Sequence, residues 1–367
     1  MRQLVHAGAG TGGLAYQGEL EYWDWDYEPR AALLAKYGKA WETDHQGITL
    51  KRVSQAYADA QTKLLTAASS GNNPPFANIH NTWRPAIQRQ GLLEPYPDDL
   101  LPFDKLLSTP YNRDPQTGKV YTCTFNYFCD ELFFNTDLLA AEGIKPEQVP
   151  AKWEDYLAMA QQLTKRGADG KVTQAGMTLN HYYSRQWLWQ TLVYQLGGWL
   201  YNEDGTEALW NSEEGVAALQ TIKDIYFKYK LDDVDFLSLW DAFGTGKAAS
   251  YISQGYTATW DTDYPDIAGK WSTQTTPTFT GSTPDHAWGM VSPEEGFGVF
   301  KNATPEQKEA AFSFIGYAVG PDEHALEWAK LQGGPPDRSD LLDSPDLLAN
   351  DKYGVIANQG KTLPYRV

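Results

Sequence analysis

Residues 121–144 read YTCTFNYFCDELFFNTDLLAAEGI. Residues 121–125 are rich in β-branched and aromatic side chains, and 131–134 form a second apolar run, so both are predicted strands. Between them, Asn126-Tyr127-Phe128-Cys129-Asp130 fits neither a two-residue hairpin turn nor a helix. Two strands in line with a short irregular join suit a chain crossing from one domain to another. A helix follows and ends at Gly143.

The 367 residues have room for two α/β domains of ordinary size, each with its own core. No apolar run is long enough to span a bilayer. A net charge of −17, with no basic stripe, argues against nucleic-acid binding. Acidic surfaces are common, so the charge alone names no cationic ligand. The 14 Trp and 22 Tyr supply large cores, and some of them suit stacking against the C–H faces of sugar rings. Cys123 and Cys129 are the two cysteines, which makes neither a disulfide framework nor a metal-ligand pattern. In an extended chain they lie roughly 20 Å apart, beyond bridging distance. A sharp bend would bring them together, so their pairing stays open. Met1-Arg2 leads into no apolar signal core, and residues 1–18 read as a flexible tether.

The chain then alternates. Residues 19–25 are a predicted strand, and Pro29 opens a helix with Leu34, Tyr37 and Trp41 on one face. A strand over 48–53, a helix over 57–68 and a strand over 76–80 complete the pattern. Strand–helix–strand spacing predicts a parallel sheet with crossover helices. Ligands of such sheets bind beyond the carboxyl ends of the strands. That rule selects the loops 25–28, 54–57 and 80–84. Gly8-Ala9-Gly10-Thr11-Gly12-Gly13 matches G-x-G-x-x-G but precedes a strand, so a phosphate there would meet no helix N-terminus. Further on, 172–179 is a predicted strand and 180–189 is dense in aromatics; Trp187, Thr191 and Tyr194 share a helical stripe. Asn211-Ser212-Glu213-Glu214 caps a helix with the expected stripe Val216, Leu219, Ile222, Tyr226 and Tyr229. Residues 242–249 are not a Walker A loop, because Ala248 stands where a magnesium-binding hydroxyl is needed. Thr304-Pro305-Glu306-Gln307 is a capping box.

Several of these segments resemble the extracellular solute-binding proteins of ABC importers, the group that includes maltose-type and oligosaccharide-type sugar binders. Phe134-Asn135-Thr136-Asp137-Leu138-Leu139 through Gly143-Ile144, then Lys152-Trp153-Glu154-Asp155-Tyr156-Leu157, is similar to a motif pair that follows the first interdomain crossover in that family. Lys152 replaces the usual Thr and leaves its helix without a side-chain cap. Lys63-Leu64-Leu65 to Gly71, Phe243 to Ala249 and Gly333 to Arg338 resemble further family segments in the family's order. The resemblance covers nearly everything from Gly18 to Arg366.

The resemblance implies an α/β, two-lobed periplasmic-binding-protein-like fold of type II, with a hinge and a ligand cleft. The expected division is a tether at 1–18, a first lobe from 19–125 plus 276–320, crossovers at 126–130 and 271–285, and a second lobe from 131–270 plus 321–367. Family members usually continue with further helices, so the second lobe is expected to look truncated. The implied function is to bind a carbohydrate, with hinge closure, and deliver it to the membrane permease subunits of an ABC transporter. A monomer outside the cytoplasm, periplasmic or lipid-anchored, is expected, with no cofactor, no metal and no nucleic acid. Trp25, Tyr256, Trp260 and Trp288 are the expected ring-stacking residues. Asp26, Glu28, Asn81, Asp263, Glu294 and Arg338 are expected to bond hydroxyls. Tyr27, Tyr57, Trp83, Tyr127, Tyr182, Tyr183 and Trp187 complete the candidate set.

Two rival readings differ in kind. Aromatics beside Asp24, Asp26, Glu28, Asp261 and Asp263 would also cage a polyamine or another cation. A glycoside hydrolase needs two carboxylates across a cleft, one with a raised pKa, and no spacing here singles out such a pair. There is no H-E-x-x-H, no G-x-S-x-G and no Cys/His dyad, and His80 and His181 read as site-rim or capping groups.

Overall fold

The computed structural model describes residues 13–125, 127–202, 206–254, 260–281 and 291–349. For Tyr127, Tyr182, Gln254, Val291, Ser292 and Gln332 it describes the backbone alone. The described chain divides into two compact units. The first runs to Tyr127 and resumes at Pro293–Leu331 and Pro336–Leu341. The second is Phe128–Ser292, with Gln332–Pro335 and the residues from Leu342 on.

In the first unit β1 (Gly18–Trp25), α1 (Glu28–Asp44), β2 (Ile48–Gln55), α2 (Tyr57–Ser70) and β3 (Phe76–His80) follow one another as the periodicity predicts. β1 pairs in parallel with β2, from Gly18 opposite Ile48 to Trp25 opposite Gln55, and with β3 on its other side. The crossover helices make these pairings parallel. The Glu295–Val299 strand closes the sheet antiparallel to β3. Being central, β1 buries both faces. Leu20 and Tyr22 enter a core with Leu34, Tyr37, Trp41, Phe297 and Phe314, whereas Trp25 enters a second cluster with Leu64, Ile79 and Trp83. The Pro305–Val319 helix begins with the predicted capping box, Thr304 and Gln307 bonding each other's backbone N–H.

In the second unit the central strand is β4 (Tyr127–Asn135). It lies between the Ser250–Gln254 and Trp271–Thr275 strands, antiparallel to both, and also pairs with Val291–Pro293. Leu132 and Phe134 face Trp153, Tyr156, Leu188 and Leu192. Phe133 faces the opposite cluster and stacks on Tyr251, 4.5 Å between centroids. Asn135 ends β4 and caps the next helix, accepting from the amides of Asp137 and Leu138 at 3.0 Å each. Lys152, as expected, gives no side-chain cap.

Several boundaries move. Residues 121–125 form no strand; their amides reach the Glu295–Val299 strand only at Cys123 and Phe125. The expected break instead supplies the start of β4. Trp271–Thr275 is a sheet strand of the second unit, so the return crossing does not begin at 271. The first unit extends past 320, because the helix Asp322–Gln332 packs Trp328 against Phe125 (4.6 Å, interplanar 12°). Residues 172–179 pair as a strand only over Val172–Gln174, then touch Ala248 and Tyr251 through isolated bridges. In the Glu213–Phe227 helix, Val216 and Leu219 are exposed (63% and 61%), and Gly215, Ala218, Ile222, Ile225 and Tyr226 face inward. Among the described residues no helix is long and apolar enough to cross a membrane.

Candidate functional site

The carboxyl ends of β1, β2 and β3 carry an aromatic cluster. Trp25 lies 5.7 Å from Tyr57, 6.1 Å from His80 and 5.1 Å from Trp83. Tyr57 lies 6.1 Å from His80 and 5.8 Å from Trp83, and His80 lies 5.6 Å from Trp83. Every pair of the four rings is therefore in contact range. All three predicted loops meet here. Tyr57 is the exposed ring, at 39%, while Trp25 (6%) and Trp83 (4%) lie beneath the surface. Trp25 thus supports the cluster, which corrects its expected role as the ring that stacks on a ligand. Around the rings stand the exposed Asp26, bonded to Ser54, the exposed Glu28 and the half-buried Tyr27. Asn81 is tied in by its backbone N–H, which donates to the Glu294 backbone carbonyl at 2.7 Å.

Below the rings lies a charged network that sequence reasoning missed. Arg30, fully buried in the first turn of α1, donates to both Glu295 oxygens at 2.7 Å and to Asp24 Oδ1 at 2.8 Å. Arg52 donates to Asp24 Oδ2 at 2.9 Å, and the Asn78 amide to Asp24 Oδ1 at 3.0 Å. A cation in a first helical turn opposes the helix dipole, so an arginine directly after Pro29 was the available signal that a carboxylate partner holds it. Burial, reinforced by the Arg30 charge, lowers His80 to about 4, so its ring is neutral at pH 7. Burial and the neighbouring Glu295 push the Glu294 carboxyl up to about 8.

The second unit carries a smaller aromatic group. Tyr183 stacks on Trp187 at 5.1 Å and 7°. His181 lies 5.6 Å from Tyr183 and 5.5 Å from Trp240. Trp240 was not among the candidates. Ser238-Leu239-Trp240-Asp241 has a helix-start signature, with the Ser238 hydroxyl accepting from the Asp241 amide, and this places Trp240 in a first turn.

Two candidates belong elsewhere. Trp260 is 3% exposed, its indole N–H donates to the Tyr251 hydroxyl at 2.9 Å, and Phe243, Trp240 and Tyr264 surround it. It is a core residue, and so it lacks the open face that stacking requires. Arg338 is 5% exposed and fixes its loop through Asp322 and Asp340, both at 2.8 Å, and the Gly320 carbonyl. With its donors engaged there, it is a structural clamp rather than a hydroxyl binder. Asp263 is exposed on a short helix. Tyr256 and Trp288, and the side chains of Tyr127 and Tyr182, lie outside the described residues, as does the glycine motif at 8–13 apart from Gly13. Cys123 and Cys129 are free and buried, each packed within its own unit. Among the described residues no group of three or more His, Cys, Asp or Glu is placed to hold a metal ion.

The profile of the bacterial extracellular solute-binding protein family matches residues 33–353. The chain belongs to that family. This solute-binding protein is 24% identical over 270 residues to a lactose-binding protein of Rhizobium radiobacter, across 70% of this chain and 61% of the relative. It is 23% identical to an arabinooligosaccharide-binding protein of Bacillus subtilis, across 68% of this chain and 56% of that relative. The chain thus spans about three-fifths of the length of these curated relatives. Its fold is that of ABC substrate-binding proteins. A solved one from Listeria monocytogenes, in complex with cycloalternan, superposes with a TM-score of 0.76 at 22% identity, covering 96% of this chain and 89% of the other.

Proposed function

We propose that this solute-binding protein binds an oligosaccharide outside the cytoplasm and delivers it to the permease subunits of an ABC transporter, without chemical change to the sugar. The observation that carries this reading is the aromatic cluster of the first unit. An exposed Tyr57 rests on Trp25, His80 and Trp83, at the carboxyl ends of parallel strands, with Asp26 and Glu28 exposed beside it. An aromatic face flanked by carboxylates suits a pyranose, which offers C–H groups on one side and hydroxyls at its edge. Relatives that bind lactose and arabino-oligosaccharides support the same ligand class. His181, Tyr183 and Trp240 of the second unit would add a further sugar-contact surface. A cationic ligand fits this cluster less well, because the Arg30 guanidinium already lies 4.5 Å from the Trp25 ring.

Tyr57→Ala is expected to weaken oligosaccharide binding about tenfold, or ~1.4 kcal/mol. The stability loss should be small, because the ring is exposed. Isothermal titration calorimetry of both proteins with the same sugar measures this, and an unchanged affinity would contradict the role given to Tyr57.

A further inference from the structure

We propose that Arg30 is the positioning residue of the aromatic surface, setting the Trp25 ring against which Tyr57, His80 and Trp83 pack. This rests on reading that surface as the sugar contact. The guanidinium carbon lies 4.5 Å from the centroid of the Trp25 ring, and Nη2 donates to the Trp25 carbonyl at 3.0 Å. The Trp25 amide in turn donates to Asp24 Oδ1 at 2.8 Å, the same oxygen that accepts from Arg30 Nη2. Arg52 adds a second donor to the Trp25 carbonyl at 2.9 Å. One network thus holds a face of the indole and both polar backbone atoms of Trp25. Glu295, bonded through both oxygens to Nη1, fixes the far edge of the guanidinium. The arginine plane has little freedom to tilt, and neither has the indole lying on it.

Arg30→Lys separates charge from shape. An ammonium keeps the positive charge between Asp24 and Glu295, but it has no flat face and no planar fork to span both carboxylates. The full-length protein, labelled with 5-fluorotryptophan, gives a readout that needs no ligand. The Trp25 fluorine resonance is assigned by its loss in Trp25→Phe. In folded Arg30→Lys the Trp25 line is expected to shift or broaden, while the lines of Trp153 and Trp189 in the second unit stay in place. Affinities for maltotriose and lactose then form a double-mutant cycle. Arg30→Lys is expected to cost about fivefold in the wild-type background and nothing further in Trp25→Phe. An unchanged Trp25 line, or an equal loss in both backgrounds, would overturn the proposal. If neither sugar binds the wild-type protein, the sugar reading fails separately and the fluorine spectra still decide the role of Arg30. Should Arg30→Lys not fold, Glu295→Gln loosens the same clamp without removing a side chain. It is expected to move the Trp25 line, and an unmoved line there overturns the proposal equally.

Discussion

Replacing Arg30 by methionine is expected to lower stability by about 3–5 kcal/mol, the cost of breaking a buried ion pair from one side. Methionine keeps most of the side-chain volume, so lost packing is a minor part of the effect. The larger part is charge. The side chains of Arg30 and Asp24 are 1% and 0% exposed, and that of Glu295 is 5% exposed. Arg52 remains to answer Asp24, but Glu295 loses the two hydrogen bonds and the charge that Arg30 supplies. Burial already pushes the Glu295 carboxyl upward, and the Arg30 charge opposes that push. Without the charge Glu295 would take up a proton, so the loss should shrink as the pH is lowered. Urea unfolding at pH 7.5 and pH 5 measures both parts. A loss below ~1 kcal/mol at pH 7.5 would mean that the network is far better solvated than its burial indicates.

Acidification from pH 8.5 to pH 5 is expected to raise the melting temperature, the reverse of ordinary acid denaturation. Burial pushes Asp130 and Asp232 up to about 7, and Glu294 and Asp337 up to about 8. Glu131 is raised as well, again by burial, and its Oε1 accepts from the Cys129 thiol at 3.7 Å. In the unfolded chain these groups titrate near pH 4. Between pH 4 and 8 these five carboxyls therefore bind more protons in the folded state than in the unfolded state, and their contribution to stability falls as the pH rises through that window. His80 and His181, lowered by burial, oppose this below about pH 6.5 but are two groups against five. Below about pH 4 the trend reverses, because Asp340, Glu327 and Asp114 are held below their ordinary values by their partners and lose those bonds on protonation. If each buried acid contributes about 1 kcal/mol, the melting temperature should move by at least 5 °C, given roughly 2–4 °C per kcal/mol for units of this size. Calorimetric scans across this range test it. Asp130→Asn and Asp337→Asn should each flatten the slope, and a melting temperature that rises from pH 5 to 8.5 would contradict the account.

The parts of the fold legible in the sequence are those that local chemistry specifies. Leu20 and Tyr22 alternate with Trp23 and Trp25 because β1 lies between two cores, and period two records this directly. Thr304 and Ser212 announced helix starts because a cap is a short-range bond. The three loops beyond β1, β2 and β3 were selected by topology alone, and their rings do meet. Side-chain orientation was less legible. The Glu213–Phe227 helix turns Gly215 and Ala218 inward because close approach rewards small residues, so the larger Val216 and Leu219 are left outside. Trp260 looks like a loop aromatic until its indole N–H is seen bonded to Tyr251. Arg30 and Glu295 are 265 positions apart, and no local pattern connects them.

The central claim is that an oligosaccharide binds this chain, and a melting-temperature panel tests it most directly. The panel would hold lactose, maltotriose, cycloalternan and arabino-oligosaccharides, with spermidine and glycerol 3-phosphate as the contrasting classes. A ligand at one hundred times its dissociation constant adds about 2.7 kcal/mol, which moves the melting temperature by roughly 5 °C or more. The account predicts such a shift with at least one oligosaccharide and none with spermidine. A shift with spermidine or glycerol 3-phosphate and none with any sugar would contradict it.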